Sequence, residues 1–64
     1  MMTIKTKDDY EMVMNIVDEL GVRVVEDYQV VVDNEGWVLT SFWNLIFSNI
    51  EDLTVVEELF EEIS

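Results

Sequence analysis

Carboxylates are the only abundant reactive groups in this chain: fifteen Asp and Glu stand beside three bases, with no histidine and no cysteine. Glu57, Glu58, Glu61 and Glu62 fall within six consecutive positions, which a helix would spread over roughly 7.5 Å of its axis. Asp8, Glu11 and Asp18 share one side of a second helical stretch and extend over ~15 Å. Groups so arranged could do acid–base work, hold a divalent cation or present a charged surface. Acid–base work of the glycosidase kind needs two carboxyl groups opposed across a cleft. A chain of 64 residues offers little room for a cleft that excludes water. No imidazole titrates near neutrality, no thiol can attack, and Ser41, Ser48 and Ser64 have no histidine base. No catalytic residue is expected, and the chain does not read as an enzyme.

Metal chemistry fares no better. The glutamates of residues 57–62 match the carboxylate half of a helical di-metal site, but that site also requires Glu-x-x-His. The run Asp33-Asn34-Glu35-Gly36 lacks the alternating acids and distal glutamate of a calcium loop. It is read as a turn; no metal ligand set and no cofactor is expected.

A charged surface is what remains. The formal charge is −12, and residues 24–64 carry ten acids without a single base. Lys and Arg drive binding to phosphates by releasing counterions, so direct contact with nucleic acid is excluded. Inverted, the argument becomes positive, because closely spaced carboxylates present what a nucleic-acid-binding protein is built to receive. Solvation alone explains the acids poorly. Glu57–Glu61 and Glu58–Glu62 are like-charge i, i+4 pairs, each destabilising by roughly 0.2–0.5 kcal/mol. Solubility asks for mixed charge and does not require every base to be removed from a long stretch. The partner-binding residues are therefore expected to be Asp8, Glu11, Asp18, Glu51, Asp52, Glu57, Glu58, Glu61 and Glu62.

The elements that must position these acids follow from periodicity. Thr6 caps a first helix, with Asp9 three residues on; Tyr10, Val13, Met14, Ile16, Val17 and Leu20 form its apolar face, and Gly21 ends it. A short N-terminal strand over Thr3–Lys5 is weakly signalled. Val22–Val25 and Tyr28–Asp33 are β-branched and alternate, with Tyr28, Val30 and Val32 on one face. Asp33–Gly36 turns the chain into a strand over Trp37–Thr40. Glu26-Asp27 reads as a second turn or a kink, and a three-stranded meander is favoured. Ser41–Asn49 reads as a short apolar helix. A last helix starts near Ser48 or Thr54, with Val55, Val56, Leu59, Phe60 and Ile63 inward.

The prediction is thus one domain over 1–64, α+β in class. It has an N-terminal helix, a two- or three-stranded antiparallel sheet (hairpin or meander) and one or two C-terminal helices. Trp37 and Phe42 are assigned to the core. Trp43 and Phe47, on the other side of the short helix, are assigned to an interface as apolar anchors. Asp8, Asp9 and Glu11 interrupt any leader-like run, and Gly36–Ile50 is too short and polar to span a bilayer. No membrane contact and a cytoplasmic setting are expected.

In size, acidity and want of catalytic residues the whole chain resembles the very small acidic proteins with which phages inhibit host defence or nucleic-acid enzymes. Anti-CRISPR, anti-restriction and other DNA-mimic inhibitors belong to that group. They share no common sequence, so the resemblance implies an inhibitor of a basic, nucleic-acid-binding partner and assigns no residue roles. The alternatives are a homo-oligomeric accessory protein, down to a simple homodimer, whose acidity only solvates it, and an antitoxin-like adaptor.

Overall fold

Thr6 and Gly21 delimit the first helix as expected. The computed structural model describes residues 1–64, and α1 (Lys7–Leu20) begins where Thr6 Oγ1 accepts the Asp9 N–H at 3.1 Å. It ends where Gly21, at φ 68°, donates its N–H to Val17 O at 2.9 Å. The left-handed backbone there favours glycine, which has no Cβ to clash. The remaining elements are β1 (Met2–Ile4), β2 (Val24–Val32), β3 (Val38–Phe47) and α2 (Ile50–Ile63). The class is α+β, with two helices and one three-stranded antiparallel sheet in the order β1-β3-β2.

Three local expectations are corrected. Ser41–Asn49 is not a helix: its residues up to Phe47 form most of β3, the central strand. β3 carries large apolar groups on both faces, Trp43, Leu45 and Phe47 on one and Phe42 and Ile46 on the other, so its apolar run imitates a buried helix. Glu26-Asp27 makes neither turn nor kink but lies inside the continuous strand β2. The third strand is β1 instead, with Met2, Thr3 and Ile4 opposite Leu45, Asn44 and Trp43. Finally, α2 is capped by Asn49 and not by Ser48 or Thr54. Asp52 N–H donates to Asn49 Oδ1 at 2.8 Å, and Asn49 Nδ2 returns a bond to Asp52 Oδ2 at 3.1 Å. Such caps contribute about 1 kcal/mol each.

Directly opposed residues of an antiparallel pair share a face. One face of the sheet thus carries Ile4, Trp43 and Tyr28 in one row and Met2, Leu45 and Glu26 in the next. Both helices cover this face: Val13 and Val17 of α1 and Val56 of α2 are buried with Ile4 and Leu45. The other face carries Val25, Asp27, Gln29, Phe42, Asn44 and Ile46, and no helix covers it.

The turn at 33–36 closes the hairpin. Asp33 Oδ1 accepts the N–H groups of Glu35 and Trp37, both at 2.9 Å, and Gly36 takes the left-handed position at φ 86°. A register shift at Val31/Val32 sets Val38 opposite Val32.

The molecule is elongated. Its radius of gyration is 13.1 Å and its extents 41 × 23 × 15 Å, whereas a compact chain of this length would have a radius near ~10.7 Å. Strand and helix lengths supply the reason. Helices of fourteen residues reach about 21 Å, while the ten residues of β3 reach about 34 Å. The distal end of the β2–β3 hairpin, here termed the arm, therefore projects past the helical layer.

Candidate functional site

Two surfaces stand out: the acidic helical layer and the apolar arm. On α1, Asp8, Glu11 and Asp18 are exposed; on α2, so are Glu51, Glu57, Glu58, Glu61 and Glu62. Asp52 differs, being half-buried with its carboxylate engaged by Asn49. The two helices meet along a groove lined by Met12, Ile16, Leu20 and Leu59, with Glu19 and Glu62 among its polar residues. One acid from each helix, Glu19 and Glu62, therefore lines this groove, and of the expected partner-binding acids only Glu62 does. Glu19 was not expected as a member, since only the packing of α1 against α2 identifies it. Neither helix has a base in its last turn. Asp18, Glu19, Glu61 and Glu62 lie there instead, where the helix dipole disfavours negative charge. No group of three or more acidic side chains is arranged to hold a metal ion.

Trp43 and Phe47 sit differently from their predicted place. Both lie on the helix-covered face, half-buried and packed against the core. Trp43 stacks on Tyr10 with ring centroids 4.8 Å apart at 24°, and meets Tyr28 at 5.3 Å and 48°. The Tyr10 hydroxyl donates to the Glu26 carboxylate. That bond raises the Tyr10 pKa above the usual phenol value, and burial and the charges of Glu26 and Asp18 act in the same direction. A phenolate among carboxylates would be repelled. Trp37, by contrast, is no core residue; it is 70% exposed beside the turn. Phe42 lies half-buried on the uncovered face.

Exposed large apolar groups occur on several elements, Ile50 and Ile63 of α2 among them, but six of them, Tyr28, Val30, Val32, Trp37, Val38 and Leu39, lie together in the arm. Contiguous apolar patches larger than a few hundred Å² are uncommon on monomeric proteins. Alternation assigns these residues to faces but does not reveal whether a helix reaches them. The signal that could have found them is the mismatch between strand length and helix length.

No helix is long and apolar enough to cross a membrane. No family model, curated protein or solved structure matches the chain.

Proposed function

We propose that this protein is a small acidic inhibitor that occupies a basic nucleic-acid-binding surface on a partner protein, in the manner of a DNA mimic. The observation that carries the reading is the unopposed exposure of acids on both helices, including positions where they reduce helix stability. Long-range attraction steers a basic partner toward such a layer, and an apolar contact beside it then holds the complex. Trp37, Val38 and Leu39 are better placed to supply that contact than Trp43 and Phe47, whose rings pack largely inward. On this reading the protein acts in the cytoplasm, by stoichiometric binding and without catalysis.

The test is a pull-down from host lysate at low and high salt, with retained proteins identified by mass. A basic, nucleic-acid-binding protein is expected at low salt and should be lost as salt rises. The Glu57→Gln, Glu58→Gln, Glu61→Gln, Glu62→Gln variant should retain far less of it. Retention unchanged by those substitutions overturns the reading. A second reading, an oligomeric accessory protein, draws its support from the uncovered arm; an antitoxin-like adaptor would share that surface and show weak thermal cooperativity alone.

A further inference from the structure

We infer that β2 is a self-association edge, along which a second copy of this chain pairs antiparallel to make one continuous six-stranded sheet. The inference stands apart from the inhibitor reading and uses a different surface. β2 is nine residues long and lies at the edge of the sheet, so its outward N–H and C=O groups have no strand to bond. Natural edges are usually blunted by charge, above all lysine, by proline or by brevity, and the only charges on β2 are Glu26 and Asp27. β2 has no lysine and no proline, and five of its nine residues are valine.

Charge selects the register. A twofold axis perpendicular to the sheet sets residues of equal parity opposite each other, so one residue must face its own copy. With Tyr28 on the axis, the midpoint of β2, the whole strand is paired. Val24 and Val25 then face the partner's Val32 and the partner's Val31. Glu26 faces the partner's Val30, and Asp27 faces the partner's Gln29; within one chain the Gln29 amide already donates to Asp27 at 2.6 Å, and its second N–H can serve the copy. Just beyond the strand, Arg23, the only base after Lys7, faces the partner's Asp33. No acid meets an acid. Axes at Glu26 or Asp27 oppose identical carboxylates, and an axis at Val30 sets Asp27 against the partner's Asp33. An axis at Gln29 avoids such clashes but shortens the paired stretch and removes the Arg23 contact. The Tyr28 register also brings the partner's Val32 beside an apolar hollow lined by Met14, Val17, Val22 and Val24. Both helical layers then lie on the same side of the joined sheet.

Sedimentation equilibrium on the full chain tests this. A dimer of the 7.5 kDa chain is expected. It should strengthen with salt, because two copies of charge −12 repel each other. Binding to a basic partner must show the opposite salt dependence, so failure of one proposal is distinguishable from failure of the other. Gln29→Glu, which sets carboxylates opposite the partner's Asp27 at two symmetric places, should weaken the dimer at least about tenfold. Gln29→Lys should tighten it, and this variant controls for any misfolding of the first. The chain has no cysteine, so Tyr28→Cys should cross-link to its own copy on oxidation much faster than Val31→Cys. A monomer at every concentration and salt overturns the inference. So does a dimer indifferent to both Gln29 substitutions, or equal cross-linking at Tyr28 and Val31.

Discussion

The helical layer and the arm divide the chemistry of this small protein between them. The layer is charged, its helices are capped by Thr6 and Asn49, and it buries Val13, Val17 and Val56 against the sheet. Apart from Asp33 and Glu35 in the turn, the arm is uncharged and presents Trp37, Val38 and Leu39 to solvent. A domain of this size has little apolar surface to spare, since it buries only ~60% of what its unfolded chain exposes. Much of the arm's apolar surface therefore adds nothing to the core of a single copy. The layer supplies most of the buried core, while the arm contributes little to the stability of a single copy.

The same substitution at two leucines gives the largest effect and the sharpest form of that contrast. Leu45 is wholly buried and Leu39 is 65% exposed. Leu45→Ala should cost about 2–5 kcal/mol, enough to unfold much of a marginal domain. Leu39→Ala should stay within about 0.5 kcal/mol. Chemical denaturation of dilute protein measures both, and equal losses would mean that the arm is packed after all.

A smaller effect of opposite sign is expected on the layer. Glu61→Lys combined with Glu62→Lys converts two repulsive i, i+4 pairs into attractive ones and reverses the charge at the helix C-terminus. Stability should rise by about 0.5–1 kcal/mol, visible as a higher melting temperature, while affinity for a basic partner falls. A fall in both would show that these glutamates serve the fold.

The smallest effect lies where the helical layer meets the sheet, short of the arm. Tyr10 on α1 bonds Glu26 on β2, and its pKa is raised. The stabilisation from the protonated phenol is complete below the ordinary tyrosine value of about 10. It is lost as pH climbs through the higher folded-state value. Absorbance titration of the phenolate should show Tyr10 ionising late, and Glu26→Gln should lower its pKa. Late ionisation that survives Glu26→Gln would trace the shift to burial and to Asp18.

Much of the layer was legible from sequence, because caps and helical periodicity act locally. Thr6, Gly21 and the inward Val13 and Val17 need no distant partner to be recognised. The turn was legible for the same reason, through Asp33 and the positive φ of Gly36. The central strand was not. Ser41–Phe47 carries large apolar groups at nearly every position, so neither a period of 2 nor one of 3.6 emerges, and only pairing with β1 and β2 settles it. β1, only three residues long, was weakly signalled one residue late, over Thr3–Lys5 where the strand is Met2–Ile4. The candidate acids were legible as residues, but the approach of Glu62 to Glu19 at the groove between α1 and α2 was not, since packing between helices leaves no mark in local spacing.

The unequal placement of the two tryptophans gives the protein a built-in optical readout. Trp43, stacked on Tyr10 beneath the helices, should change its emission when the fold is lost. Trp37, solvated beside the turn, should emit to the red and shift to the blue when something dries the arm. A chain keeping only Trp37, made by Trp43→Phe, would separate occupation of the arm from contact at the acidic layer without any added dye.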